Sequence, residues 1–229
     1  MSITKDIFES YKIRPQAALL MSGAGSNAEA ILSSQKLRDL YDFVVVASDN
    51  SNSNAAKIAS EHETGLYIQH QERLASPEDR AAYFDRFGSN IARFGASIAI
   101  YAGFMKISTH AFCESFPGVN VHPADLTIMG EDGLPKYRGM RALGSMRADL
   151  GTVRSTVHVV DNPVDSGSAI SLSEQINPPV SLTDLEVHTL LKQKEHAVFT
   201  LTLELLGLGQ LNPALTPYSY EQIAGTHHE

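Results

Sequence analysis

The chain has 229 residues, of which 43% are hydrophobic and 19% charged. That is enough for a substantial core in one or two domains, a single large α/β unit fitting best, and no apolar run reaches the roughly 18 to 20 residues of a membrane-spanning helix. Eighteen basic against 26 acidic side chains leave a formal charge of -8, which without a concentrated basic patch repels a polyphosphate backbone and argues against nucleic acid as a partner.

The start MSITKDIFES has neither the basic nor the apolar region of a signal peptide, so a cytoplasmic location is expected, and residues 1–14 read as an N-terminal extension. Ala17 to Met21 is a short apolar run that stops at Ser22-Gly23-Ala24-Gly25-Ser26-Asn27, after which Ala28, Ile31 and Leu32 fall on one helical face. The spacing predicts strand, glycine turn, helix. Phe43 to Ala47 repeats the pattern, ending in the polar loop Ser48 to Asn54 before a helix near Ala55. Gly65 to Ile68 is a weaker strand, residues 77–94 a helix with apolar positions at 82, 83, 87, 91 and 94, and Ser97 to Gly103 another buried strand. Cys113 is the one cysteine, which allows neither an internal disulfide nor a Cys-rich metal site and suits a reducing compartment.

Gly118 to His122 reads as a further strand, followed by a glycine- and proline-containing loop from Asp125 to Gly139. Thr152 to Val160 and Gly167 to Leu172 are strand candidates joined by the turn Asp161-Asn162-Pro163-Val164-Asp165-Ser166. Ser181 with Asp184 resembles a helix cap, and the helix it opens carries Val187, Leu190, Leu191, Val198, Leu201 and Leu205 before ending near Gly207. Residues 15–209 form the expected catalytic domain and 210–229 a loosely docked tail. Short, doubly apolar strands alternating with helices indicate a Rossmann-like, mostly parallel central sheet with helices on both faces, and such sheets bind ligands beyond the carboxyl ends of their strands.

Four groups of residues carry chemistry. Gly25, Ser26 and Asn27 at a strand-to-helix turn offer backbone and side-chain donors to a phosphate; a dinucleotide is disfavoured because position 28 is alanine and Asp49, the acidic residue after the second strand, sits in a polar loop. Asn120 and His122 are two apart in a strand and therefore face one way, an amide and an imidazole suited to stabilising the oxyanion of acyl transfer and to moving a proton. Asp165 can hold that histidine or orient a proton-relaying water, although Asp and Gly also populate turns for backbone reasons alone. His188, Lys192 and Glu195, at i, i+4 and i+7, form a polar stripe on the last long helix: a solvated face, or a phosphate contact from Lys192 and an ammonium contact from Glu195. The nine histidines show no metal-ligand spacing, so no metal is expected.

In order along residues 15–207, MSGAGSNAEAIL (21–32), YAGFMKISTHAF (101–112), NVHP (120–123) and STVHVVDNPVDSG (155–167) resemble the glycinamide ribonucleotide (phosphoribosylglycinamide) formyltransferase family of purine biosynthesis; KQKEH (192–196) and LPKYRG (134–139) extend the likeness. The resemblance implies the formyltransferase fold and transfer of a formyl group from 10-formyltetrahydrofolate to the primary amine of glycinamide ribonucleotide, with no metal. It implies that Asn120, His122 and Asp165 are the catalytic trio, that Gly25, Ser26, Asn27 and Lys192 hold the substrate phosphate, and that Glu195 contacts the glycinamide end. The folate would lie along Met105, Lys106, Ile107 and the turn containing Asp161, with Arg80 as a further contact. Three departures stand out: the stretch PADLTIMGEDG (123–133) is longer than the family's usual segment, Ser166 replaces a glycine, and Lys106 stands where arginine is common. A formyltransferase for another amine, such as a nucleotide-linked amino sugar, is the alternative acceptor reading. A formyltetrahydrofolate hydrolase, with a similar trio and water as the acceptor, is a further alternative, although that family normally carries an extra N-terminal regulatory domain that about 14 residues are not expected to supply. A non-catalytic nucleotide- or folate-binding protein is the alternative of another class. Oligomeric state is left open.

Overall fold

The computed structural model describes residues 14–70, 73–211 and 217–225. The expected extension at residues 1–14 thus lies, apart from Arg14, outside the described residues. Seven strands are hydrogen-bonded in the order β3-β2-β1-β4-β5-β6-β7: β1 (Gln16–Met21), β2 (Asp42–Ser48), β3 (Gly65–Ile68), β4 (Ile98–Tyr101), β5 (Gly118–His122), β6 (Thr156–Val159) and β7 (Ala169–Leu172). The pairs β1 with β2, β1 with β4, β2 with β3 and β4 with β5 are parallel, and β6 with β7 is antiparallel. This is the mostly parallel α/β architecture expected. The chain divides into two compact units at Asn120 and Val121, within β5.

In the unit ending at Asn120, β1, β2 and β4 are buried along most of their length, which is why each reads as a plain apolar run rather than an alternating one. Helices α1 (Ser26–Ser33), α2 (Gln35–Leu40), α3 (Ala55–Glu61), α4 (Pro77–Ala92) and α5 (His110–Ser115) connect the strands. The start of α4 has a strong local signal: Ser76 accepts from the Asp79 amide, Asp79 returns a bond to the Ser76 amide, and Pro77 opens the first turn. Its buried face is aromatic, with Tyr83, Phe84 and Phe87 packed as mutual ring neighbours and Ile91 below them; Phe94, expected on the helix, follows it and is 40% exposed.

In the unit from Val121, α6 (Ala142–Leu150) and α7 (Asp184–Gly207) pack around Leu143, Val153, Val187 and Leu191, and a second cluster joins Ala124, Tyr137, Ala142 and Met146. The cap of α7 is displaced by two residues from Ser181 and Asp184: Thr183 accepts from the Glu186 amide and Glu186 bonds back to the Thr183 amide. Both segments fit the same sequence pattern, and the helix starts at Asp184, so Thr183 and not Ser181 is its cap. Leu190, expected in the apolar stripe, is 50% exposed. The described end of the chain is held more firmly than a loose tail, because Tyr218 exchanges backbone hydrogen bonds of 2.9 Å with Ile170 and Leu172 of β7, and α8 (Tyr220–Gly225) buries Ile223 completely.

Candidate active site

Carboxyl ends of parallel strands leave backbone groups and loops free for ligands. Beyond β1, the chain turns at Gly25, which has φ +75° and caps α1 without a side-chain hydrogen bond. A Cβ there would meet the tips of the Met21 and Ile58 side chains, which would have to shift, and the positive φ is one that residues with a side chain rarely adopt. Ser26, half-buried, opens the helix, while Asn27 is buried on the face shared with Ala28 and Ile31. The loop after β2 braces this turn: Asn50 Nδ2 donates to the Ser22 carbonyl at 2.8 Å and Asn54 Nδ2 to the Ala24 carbonyl at 3.1 Å. Asn54 precedes α3 without capping it by a side-chain hydrogen bond, its amide being spent on the neighbouring loop.

The loop after β4 is tied to the same turn. The Met105 amide donates to Ser22 Oγ at 2.8 Å and the Ser22 amide to the Gly103 carbonyl at 3.0 Å. Met105 and Ile107 are 57% and 45% exposed, whereas Lys106 between them is drawn inward. Its Nζ lies 3.8 Å from Asp49 Oδ2 and 5.3 Å from the centre of the Tyr83 ring. Burial, with the Asp49 carboxylate adding to it, pushes the Tyr83 hydroxyl above the usual range, so that ring faces the lysine as a neutral phenol. Arg80 stands half-buried in the first turns of α4.

Asn120 is half-buried on β5, opposite Tyr101 of β4, and strand alternation puts it on the same face as His122, which is 6% exposed. Three residues surround the His122 ring. Its Nε2 is 2.9 Å from the Tyr137 carbonyl, and since a carbonyl has no hydrogen to give, Nε2–H is the donor. Its Nδ1 is 3.4 Å from Asp165 Oδ2, and that oxygen also accepts the Gly139 amide at 2.8 Å. On the far side of the carboxylate, His158 Nε2 lies 3.7 Å from Asp165 Oδ1. Asp165 itself has φ +53°, a left-handed turn conformation that Asp tolerates, so the backbone reading of this residue and the chemical one both apply.

The His158 ring is the participant that sequence reasoning passed over, although it lies inside the quoted STVHVV segment. Burial first, then the neighbouring His122, lowers its pKa from 6.5 to about 4, against the opposing pull of Asp165. It is neutral near pH 7, with Nδ1–H given to the Val159 carbonyl at 2.8 Å and an acceptor lone pair left on Nε2. The signal available was an ionisable side chain in the short strand Thr156 to Val159. The Asp165 carboxylate therefore stands between two imidazole nitrogens, His122 Nδ1 on one side and His158 Nε2 on the other.

On α7 the expected polar stripe divides. Lys192 is half-buried, but Glu195 is 5% exposed, with Ser155 Oγ donating to its Oε2 at 3.2 Å, so it does not belong to a solvated face. Next to it, burial and Lys192 hold the pKa of His196 below its ordinary value. Asp161 is exposed in the turn after β6, its Oδ1 accepting the Asn162 amide at 2.7 Å. Among the described residues no group of three or more His, Cys, Asp or Glu side chains is placed to hold a metal ion, and no helix is long and apolar enough to cross a membrane.

Residues 16–203 match the family model described as formyl transferase. Phosphoribosylglycinamide formyltransferase of Escherichia coli (strain K12) is 27% identical over 201 residues, covering 84% of this chain and 87% of that protein. The trifunctional purine biosynthetic protein adenosine-3 of Gallus gallus is 28% identical over 85% of this chain, which spans 18% of that longer protein. Among solved structures, phosphoribosylglycinamide formyltransferase from Bacillus halodurans superposes with a TM-score of 0.70 at 25% identity over 83% of this chain and 94% of that one. Glycinamide ribonucleotide transformylase 1 from Symbiobacterium toebii shares the fold with a TM-score of 0.73 at 21% identity, over 85% and 88% of the two chains. With the match to the family model extending over most of its length, the chain belongs to the formyl transferase family.

Proposed function

We propose that this protein transfers a formyl group from 10-formyltetrahydrofolate to the primary amine of glycinamide ribonucleotide, a step of purine biosynthesis, in the cytoplasm. The observation that carries the reading is the His122 to Asp165 contact of 3.4 Å, between residues 43 positions apart that the resemblance had named as partners. The names of the E. coli and B. halodurans relatives point to the same acceptor.

In this reading the uncharged amine attacks the formyl carbon, a C–N bond forms and the carbonyl oxygen becomes an oxyanion. Asn120 and a His122 protonated on Nδ1 donate hydrogen bonds to that oxygen, while Nε2–H stays on the Tyr137 carbonyl and fixes the ring plane. The Asp165 carboxylate takes up the proton that the attacking nitrogen sheds. The oxyanion then collapses to the carbonyl, the C–N bond to the folate breaks, and N10 leaves with the electron pair and takes the proton that Asp165 had received. His158, neutral and accepting, keeps the opposite side of the carboxylate from being sealed by a second cation. Gly25, Ser26 and Asn27, with Lys192, bind the substrate phosphate; a helix N-terminus with exposed amides favours an anion. Glu195 contacts the glycinamide end, and Met105, Lys106, Ile107, Asp161 and Arg80 contact the folate, the exposed apolar pair Met105 and Ile107 offering it a surface.

Incubating the purified protein with 10-formyltetrahydrofolate and a panel of amines, and following the formyl group, tests the proposal. Transfer to glycinamide ribonucleotide above the other amines is expected. Preference for an amino sugar nucleotide would replace the acceptor, and formate release without any amine would make the protein a hydrolase.

A further inference from the structure

Residues 128–136, which take in part of the stretch 123–133 that is longer than the family's usual segment, form a small antiparallel hairpin. Met129 bridges Pro135, the Lys136 amide donates to the Ile128 carbonyl at 2.7 Å, and the Gly130 amide donates to the Leu134 carbonyl at 2.7 Å. Its returning arm delivers Tyr137, Arg138 and Gly139 to the catalytic pair: the Tyr137 carbonyl receives His122 Nε2–H, and the Gly139 amide donates to Asp165 Oδ2. These two backbone groups flank a single residue. Because peptide planes are rigid, φ and ψ of Arg138 alone set the separation and angle between the carbonyl that orients the imidazole and the amide that orients the carboxylate.

The side chain of Arg138 is folded back over the hairpin. Its guanidinium donates to the Pro135 carbonyl at 2.8 Å and pairs with Asp132 Oδ2 at 2.9 Å, and Asp132 in turn accepts the Leu134 amide at 3.1 Å. Bonds to Arg138 and the Leu134 amide hold the Asp132 carboxyl below its usual range. On the preceding residue, the buried Tyr137 ring directs its hydroxyl to Asp149 at 3.1 Å. Gly139, at φ +71°, completes the turn in a conformation other residues avoid.

We propose that Arg138, anchored by Asp132 at the hairpin tip, is a positioning residue for the His122 and Asp165 pair. The inference rests on the reading of that pair as the reacting groups. It also gives the additional residues between His122 and Leu134 a purpose: they build the tip that holds the arginine. An exposed ion pair adds little to global stability, so its loss should appear in catalytic geometry and not in the melting temperature.

The test uses the full chain with Arg138→Ala, Arg138→Lys and Asp132→Asn, measuring kcat, both KM values, the thermal midpoint and the ring-nitrogen NMR signals of His122. Arg138→Ala is expected to lower kcat about tenfold, the scale of a sub-ångström misplacement, with both KM values nearly unchanged. The midpoint should move by no more than a few degrees, and the signature of a hydrogen fixed on Nε2 should weaken towards a mixture of tautomers. Arg138→Lys and Asp132→Asn should fall between wild type and Arg138→Ala. Wild-type kcat with unaltered His122 signals in Arg138→Ala would overturn the proposal, as would a kcat loss that vanishes once corrected for the folded fraction. Full turnover by His122→Ala would instead refute the catalytic reading, while the ring-nitrogen signals judge the positioning claim independently.

Discussion

His122 and Asp165 meet at 3.4 Å between Nδ1 and Oδ2, and each is fixed from its other side by the backbone of one short segment, Tyr137 for the imidazole and Gly139 for the carboxylate. A contact longer than a good charge-assisted hydrogen bond leaves room for a hydrogen on Nδ1 to be shared with a third group, as the proposed oxyanion requires. Asp165→Asn keeps the size of the side chain and removes its charge. Turnover is expected to fall about a hundredfold, with both KM values within a few-fold of wild type. Steady-state kinetics on the folded variant check this, and an unchanged kcat would remove Asp165 from the mechanism.

The glycine turn makes a separate claim about binding. Ser26→Ala should raise KM for the amine substrate about tenfold, the value of one hydrogen bond to a charged group, and leave KM for the folate alone. Asn27→Ala should act in the same direction. An effect confined to the folate would move the phosphate elsewhere.

His158 links the site to stability. Its pKa is about 4 in the folded protein and near 6.5 when unfolded, so between these values the unfolded chain binds the extra proton. Stability from this group is complete above pH 6.5 and is lost as the pH falls towards 4, a change on the order of 3 kcal/mol. Denaturant unfolding at several pH values in this window should show a shallower decline for His158→Asn than for wild type. Equal slopes would mean that the buried ring does not titrate as described.

Two nearby glycines should respond very unequally to the same substitution. Gly25→Ala meets both a positive φ and the Met21 and Ile58 side chains, and should cost about 2 kcal/mol in denaturant unfolding. Gly23→Ala has nothing within 4 Å of the added methyl and should cost less than about 0.5 kcal/mol. Similar losses at both positions would show that the turn is not constrained as the coordinates indicate.

Much of the sheet could be read in advance because strands buried on both faces leave uninterrupted apolar runs, as at Ala17 to Met21 and Phe43 to Ala47. Helices α2 and α5, of six residues each, are too short for a 3.6-residue period to register, and α6 has nine. Spacing within one strand was enough to place Asn120 and His122 on a common face. It was not enough to reveal that Gly139 grips Asp165 across 26 residues, or that Glu195 is buried against Ser155 across 40, because pairings at such separations depend on how loops close and not on local pattern. His158 was hidden by its strand: a histidine there reads as core until a carboxylate is found opposite it.

The most direct measurement is a single-turnover comparison of wild type and His122→Ala, each saturated with 10-formyltetrahydrofolate and glycinamide ribonucleotide, with folate affinity determined alongside. The variant is expected to bind the folate within a few-fold of wild type and to form the formylated product at least about a hundredfold more slowly. Product formation at the wild-type rate by the variant, with the folate bound, would contradict the account.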